Sequence, residues 1–200
     1  MAVGTGYRKP YVAEYTAAGN SVTYTGLTNL GRGVSMEWDV DVTETNNFYA
    51  DDNIAEQVGG TFQSGSGTAV VDGLDQNIAK LILGLPSTRT VSVGGTSVTV
   101  QGYGNDQPPY VGIGFIKRQQ YQGTVTYLPI VFPKVRFNMP SGSAATQEEE
   151  IDWQTQELTF TILRDDTSAA EWMVVPTAGM SSENDAENFI RVYLGGTVSA

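Results

Sequence analysis

The chain of 200 residues contains neither cysteine nor histidine. Without cysteine there can be no disulfide, no thiolate nucleophile and no cysteine-based zinc site. Without histidine, the most common general base and transition-metal ligand is missing, together with every Ser-His and Cys-His catalytic pair. These absences argue against catalysis, and we predict a protein that is not an enzyme and has no cofactor and no metal site.

Positive charge is also scarce, with 11 lysines and arginines against 22 aspartates and glutamates, for a formal net charge of -11. Such a chain repels nucleic-acid phosphates and anionic membranes unless its few cations are clustered. The candidates for a cluster are Arg8, Lys9, Lys117, Arg118, Lys134 and Arg136. We expect these cations to pair with carboxylates of the same chain or of a neighbouring subunit.

Long apolar runs are missing as well. The longest stretches, such as Ala79 to Leu85 and Leu128 to Pro133, are far too short to span a bilayer. The first residues, MAVGTGYRKPYV, have neither the apolar region nor the cleavage site of a signal peptide. These features predict a soluble protein that is made inside the cell and does not contact a membrane.

Alternation of polar and apolar residues is the main pattern that is present, and the segment SMEWDVDVTE shows it best. Asp39, Asp41 and Thr43 have the spacing that begins a calcium-binding loop, but Glu44 occupies the position where such a loop needs glycine. The valines between the acids favour an extended chain, which cannot fold around an ion. We therefore predict a strand with Glu37, Asp39 and Asp41 on a solvated face and the even-numbered residues buried.

Other segments also predict strands. Val125 to Phe137 places apolar residues at odd positions, and Leu128, Ile130 and Phe132 at even positions predict a strand covered on both faces near its middle. Pro129 and Pro133 indicate instead an edge or a bulge. The segment TVSVGGTSVTV predicts a tight hairpin in which Val91 lies opposite Val98. The segment PYVGIGFIK predicts a strand whose glycines leave one face almost bare, so that another element packs closely there.

Two segments have the spacing and the caps of helices. GLDQNIAKLILGL carries an apolar stripe and ends at Gly84. SSENDAENFIRVYLGG begins with Ser182 in a capping pattern and ends at Gly195. Both stripes are most simply explained as core.

Two further segments, Thr43 to Gly60 and MPSGSAATQEEE, predict mobile loops, and long loops in compact domains are usually functional or disordered. In the first, Phe48 and Tyr49 stand among polar residues, which is typical of an anchor for a partner. Asp51, Asp52 and Asn53 follow them, and a solvated turn is favoured over a weak cation site.

Taken in order, several segments resemble the major tail proteins, or tail tube subunits, of long-tailed bacteriophages. The matching segments are PYVAEY, GVSMEWDVDVTETNNFYADDNIAE, GTFQSGSGTAVVDGLDQNIAKLILGL, PPYVGIGFIKRQQYQGTVTYLPIVFPKVRF and EEEIDWQTQELTFTI. Within them, YADDNIAE, YVGIGFI and FPKVRF are the most specific. The glycine-rich hairpin and the residues after Leu194 are less diagnostic.

The resemblance implies a mainly β fold, a two-sheet β-sandwich or barrel with a flanking α-helix and a long protruding loop. It further implies a single domain over residues 1–200, with residues 43–60 as the loop between rings and residues 195–200 as a C-terminal tail. Subunits would join sheet edges into hexameric rings, and the rings would stack into a hollow tube through which DNA passes at infection.

Under this interpretation Glu37, Asp39 and Asp41 face the lumen, and Phe48, Tyr49, Asp51 and Asp52 contact the next ring. The implied partners are other copies of the chain, the tape measure protein, the tail chaperones, and the tail terminator and distal tail proteins. Genomic DNA would pass without specific binding, and the protein would reside in the virion tail after synthesis in the host cytoplasm.

The alternative is a carbohydrate- or receptor-binding β-sandwich on a virion or cell surface. The core-facing positions predicted for Trp38, Trp153 and Trp172 argue against that alternative.

Overall fold

A computed structural model describes residues 3–50, 53–86, 88–104, 107–140 and 155–198. The strands in these ranges are β1 (Val3–Ala18), β2 (Ser21–Asn29), β3 (Gly33–Val42), β4 (Asn46–Ala50), β5 (Asn53–Val58), β6 (Phe62–Val71), β7 (Arg89–Val93), β8 (Thr96–Val100), β9 (Tyr110–Tyr121), β10 (Thr124–Phe137) and β11 (Gln156–Leu163). The helices are α1 (Gln76–Leu83), between β6 and β7, and α2 (Glu183–Tyr193), after β11.

Seven strands form one antiparallel sheet in the order β2-β1-β9-β10-β11-β6-β3, while β4–β5 and β7–β8 form separate two-stranded hairpins. The prediction of a mainly β fold, consistent with a sandwich or barrel and a flanking helix, is confirmed. The tight hairpin predicted in TVSVGGTSVTV is β7–β8, and Val91 lies opposite Val98.

The sheet curves so strongly that its far strand β3 returns to the N-terminal half of β1. The ring of Tyr7 lies so close against Gly33 that an added Cβ there would overlap the ring. Trp38 of β3 packs on Phe115 of β9, with ring centroids 5.8 Å apart. The inward side chains of the two halves thus meet in one core, the geometry of a partly closed barrel.

Strand β9 is buried on both faces, because α2 covers the outside of the sheet. Ile113 and Phe115 belong to the core inside the barrel, whereas Ile116 packs under α2. A Cβ at Gly114 would lie 2.6 Å from the Cγ2 atom of Ile190 in α2. The close approach predicted from the glycines of this strand is confirmed: their missing side chains let the helix approach the sheet.

Strand β10 contains a bulge between Phe132 and Val135, next to Pro133. The bulge shifts the alternation, so that Val131 packs under α2 while Val135 lies in the barrel core. The odd positions therefore do not share one face. The expectation that both faces are covered near the middle is confirmed, since Ile130 and Phe132 lie in the barrel core while Val131 packs under α2. The predicted bulge is present at Pro133, whereas Pro129 pairs regularly with Ile116.

The ends predicted at Gly84 and Ser182 are confirmed, and the structure adds an N-cap at Asp75. At α1, the side chain of Asp75 accepts a hydrogen bond from the backbone N–H of Asn77, and Gly84 adopts the left-handed conformation at φ 64°. At α2, the hydroxyl of Ser182 accepts from the N–H groups of Asn184 and Asp185.

Candidate assembly surfaces

The outer face of β3, β6 and β11 carries acids and hydroxyls in register. Glu37 lies opposite Thr68, Asp39 opposite Ser66 and Asp41 opposite Ser64. On the far side of β6, Thr68 and Ser66 lie opposite Thr159 and Thr161 of β11. We call these residues the acidic face.

All three carboxylates of β3 on this face are exposed. The Ser64 hydroxyl donates a hydrogen bond of 3.2 Å to Asp41 Oδ2, and the backbone N–H of Val40 donates one of 2.9 Å to Asp39 Oδ1. The predicted strand with a solvated acidic side is present. The surface that it presents combines negative charge with small hydroxyls.

The prediction that the even positions of β3 are buried holds only in its middle. Met36 and Trp38 pack against the barrel core, whereas Val34 and Val42 are 56% and 55% exposed. The reason is that β3 is an edge strand, hydrogen-bonded only to β6 among the described strands, so the core extends beneath its centre alone. The opposite edge of the sheet is β2, which in the described part of the chain is bonded only to β1.

The segment Thr43 to Gly60 is not the irregular loop that its composition predicts, since most of it forms the β4–β5 hairpin. At its base the backbone N–H of Thr43 donates to the carbonyl of Thr61, at 2.8 Å. The many asparagines and acids of this segment interrupt the alternation of polar and apolar residues that would have indicated strands. The segment is regular because its two strands pair with each other, which composition alone does not indicate.

None of the side chains described in this hairpin is buried. Phe48 and Tyr49 are 65% and 61% exposed, and Ile54 and Val58 also present apolar surface to solvent. The predicted contacts Asp51 and Asp52 lie outside the described residues, as do residues 141–150 of the second predicted loop. We call β4–β5 the projecting hairpin.

A buried ionic cluster joins β1 to α2. Glu187, which is 7% exposed, accepts hydrogen bonds from the Lys9 ammonium and from the Tyr11 hydroxyl, the latter at 2.6 Å. Arg191 Nη2 donates to Glu187 Oε1 at 2.8 Å and to the Tyr11 hydroxyl at 2.7 Å. Burial by itself raises the pKa of Glu187, but the hydrogen bonds from Lys9, Tyr11 and Arg191 outweigh it and lower that pKa to about 2.

The sequence alone does not indicate this cluster as a site. Its one local signal is the i,i+4 spacing of Glu187 and Arg191 on the helix. The contribution of β1 comes from a part of the chain that is 178 residues distant in sequence. Only the tertiary fold brings these groups together.

The expectation that the cations pair with carboxylates is confirmed for three of them. Arg8 bonds Glu183 at 3.0 Å, Lys9 pairs with Glu183 and Glu187, and Lys134 bonds Asp166 at 2.6 Å.

Two other cations donate instead to neutral oxygens. Arg118 donates to the Thr5 hydroxyl, and Arg136 donates to the carbonyl of Pro108. Most of the cations that could have formed a basic cluster thus make ion pairs or hydrogen bonds within the subunit.

Two tryptophans face the core, as predicted. Trp38 also contacts Phe132, and Trp172 stacks on Phe62 with centroids 4.9 Å apart. Trp153 lies outside the described residues. An aromatic platform for sugars is therefore not built from Trp38 and Trp172.

Within the described ranges, no three acidic side chains are grouped so that they could hold a metal ion. No helix in the same ranges has the length and apolarity needed to cross a membrane. Comparison of the chain with protein-family models and with curated proteins finds no match to either.

Proposed function

We propose that this protein is a structural subunit that assembles into hexameric rings, which stack into the tail tube of a long-tailed bacteriophage. The acidic face lines the lumen, and DNA passes along it during ejection. The observation that carries the proposal is the joint presence, within the described residues, of two sheet edges without a hydrogen-bonded neighbour, an acidic sheet face and a projecting hairpin. The sequence resemblance gives the family context.

The open edges support a head-to-tail assembly. An unpaired strand exposes N–H and C=O groups that bind another strand readily, and a protein that leaves such edges open risks aggregation. Joining β2 of one copy to β3 of the next satisfies both edges with a single repeated contact. A contact between two different surfaces closes into a ring when the rotation between copies permits it.

The acidic face supports a conduit for DNA. Exposed carboxylates repel phosphates within roughly 8 Å at physiological ionic strength, which is the range set by salt screening. The hydroxyls between them keep the surface hydrated without offering positive charge. A lumen of this chemistry excludes tight DNA binding and lets the genome slide.

The projecting hairpin supports stacking. Its exposed Phe48 and Tyr49 offer the aromatic anchors that are typical of interfaces between proteins. In the assembled tail, the proposed partners beyond other copies are the tape measure protein, the tail chaperones, and the terminator and distal tail proteins.

Electron microscopy of the purified protein tests the proposal. Concentrating the protein is expected to yield rings or stacked tubes in negative stain, because the unpaired edges drive association by mass action. A protein that stays strictly monomeric at high concentration in analytical ultracentrifugation would contradict it.

Charge reversal on the acidic face provides a second, independent prediction. Changing Glu37, Asp39 and Asp41 together to lysine is expected to leave the fold and the rings intact, since all three side chains are exposed. Each subunit then presents cations to the lumen, and DNA binds there instead of sliding. Infectivity of virions with such tails is expected to fall by at least about a hundredfold, given the steep dependence of DNA affinity on the number of phosphate contacts.

The matched control is the neutral triple variant Glu37→Gln, Asp39→Asn and Asp41→Asn, which removes negative charge without adding cations. We expect this variant to lose much less infectivity. Normal infectivity of the lysine variant, with tails of normal length, would remove the lumen assignment while leaving the assembly proposal in place.

A further inference from the structure

The β7–β8 hairpin presents an apolar face that nothing within the described subunit covers. Arg89, Val91 and Val93 alternate onto one side of the hairpin, and Val98 joins them from the opposite strand. Val91, Val93 and Val98 are 39%, 62% and 43% exposed. The other side carries threonines and serines. A two-stranded hairpin with one apolar face is marginal by itself and gains stability when that face is covered.

A second uncovered apolar surface runs along the outside of α2. It is a groove of about 480 Å³ lined by Met180, Asp185, Asn188, Phe189, Val192, Tyr193 and Val198. Val192 and Val198 are 57% and 64% exposed, although the opposite side of the helix is fully packed on the sheet. The floor of the groove is apolar, and an acid, Asp185, lies at the amino-terminal end of the helix.

The charges of the two surfaces are complementary. The 30 residues between Asp75 and Asp106 contain no acid, only Lys80 and Arg89, in a chain whose net charge is -11. Within the described ranges, neither Arg89 nor the carboxylate of Asp185 takes part in an ion pair. Among the described residues, the valine face of the hairpin therefore ends in an unpaired cation, Arg89, and the α2 groove ends in an unpaired anion, Asp185.

Their dimensions agree as well. From Arg89 to Val93 the strand extends about 13 Å, at roughly 3.3 Å per residue. From Asp185 to Val192 the helix extends about 10 Å, at 1.5 Å per residue. With Arg89 against Asp185, the tip of the valine face reaches the part of the groove formed by Val192.

The geometry points to a second contact between copies, in which the valine face of the β7–β8 hairpin docks in the α2 groove of a neighbouring copy, with Arg89 beside Asp185. This inference rests on the proposed function, in which copies are held side by side or stacked, although two copies are enough to form the contact. Each subunit supplies one hairpin and one groove, so the contact repeats from copy to copy and reinforces the joined edges.

Engineered cysteines test the contact directly, because the chain has no cysteine of its own. Val93→Cys and Val192→Cys are made in separate chains, mixed and oxidised mildly. A disulfide-linked dimer is expected in the mixture and not in either variant alone. The matched control is Ser92→Cys mixed with Val192→Cys, since Ser92 lies on the opposite face of the hairpin. It should cross-link at least about fivefold less, because a disulfide needs Cβ atoms about 4 Å apart.

Charge exchange tests the register. Arg89→Asp on the Val93→Cys chain is expected to lower the cross-linking rate roughly fivefold by placing like charges together. Adding Asp185→Arg to the Val192→Cys chain should restore it. An unchanged rate after the single reversal, or no recovery after the exchange, would overturn the pairing of Arg89 with Asp185.

The outcomes separate this contact from the proposed function. Rings or tubes in electron micrographs, combined with equal or absent cross-linking in the Val93 and Ser92 mixtures, would overturn the docking and leave the tube proposal standing. Selective cross-linking in a protein that never forms rings would support the docking and contradict the tube.

Discussion

Replacing Phe48 and Tyr49 together with alanine is expected to abolish stacking while leaving single rings and the fold intact. Both side chains are more than half exposed in the free subunit, so the subunit loses little when they are removed. In a stacked tube each pair of anchors buries apolar surface worth about 2 kcal/mol or more. Repeated around a hexameric ring, the loss at one junction is on the order of 10 kcal/mol.

The measurement is the length distribution of tubes in electron micrographs, together with the circular dichroism spectrum and melting temperature of the free subunit. Tyr103→Ala with Tyr121→Ala is the matched control, because these tyrosines are also exposed, at 58% and 50%, but lie outside the projecting hairpin. Tubes of normal length and yield in the Phe48/Tyr49 variant would show that the hairpin does not join the rings.

Replacing Glu187 with alanine is expected to destabilise the subunit by about 2 to 3 kcal/mol, because a buried carboxylate is lost together with its charge-assisted hydrogen bonds. The cations that remain, Lys9 and Arg191, are 40% and 30% exposed and stay partly hydrated. Lys9, Tyr11 and Arg191 all bond this carboxylate. For a chain of this size such a loss corresponds to a fall in melting temperature of roughly 10 °C. Urea unfolding at pH 7 measures it.

Glu183→Gln is the control, since Glu183 pairs with Arg8 and Lys9 at the rim of the same cluster with its side chain 23% exposed. Its loss should cost less than about 1 kcal/mol, as for most exposed pairs. Equal effects of the two substitutions would show that burial of Glu187 does not determine its contribution.

The pH dependence of the Glu187 contribution follows from the pKa of that carboxyl group. Its pKa is about 2 in the folded protein, below the ordinary value of 4.5. The unfolded chain therefore takes up the proton first as the pH falls, and the stabilisation is complete above about 4.5 and lost between about 4.5 and 2. The difference in unfolding free energy between the natural protein and Glu187→Gln should shrink across that range. If the difference in unfolding free energy stayed constant from pH 6 to pH 2.5, the low pKa of Glu187 would not be the source of the stabilisation.

Local patterns predicted much of the framework. The alternation in SMEWDVDVTE places Glu37, Asp39 and Asp41 on one side of β3 because successive side chains of a strand point to opposite faces. Gly84 and Ser182 cap the helices as predicted, because each satisfies backbone groups within a few residues. Such features depend on neighbours in the chain, so the sequence is enough to predict them.

Features that depend on distant parts of the chain were missed or only partly predicted. The bulge beside Pro133 moved Val131 and Val135 to opposite faces, and the edge position of β3 left Val34 and Val42 exposed. The burial of these four valines cannot be predicted from alternation alone, because burial depends on which element packs against the strand. The β4–β5 hairpin was not predicted for a related reason. A strand is stabilised by pairing with its partner strand, and composition does not show that pairing.

Composition and local pattern set the chemistry that is possible: no histidine or cysteine, an excess of acids, and a strand with one charged face. Which groups meet depends on how the chain folds. The curvature of the sheet closes the core, the glycines of β9 let α2 approach, and Glu187 then reaches Lys9 and Tyr11 from the far end of the chain. The physical reason is that side-chain type is fixed locally, whereas burial and charge pairing depend on contacts between residues that are far apart in sequence.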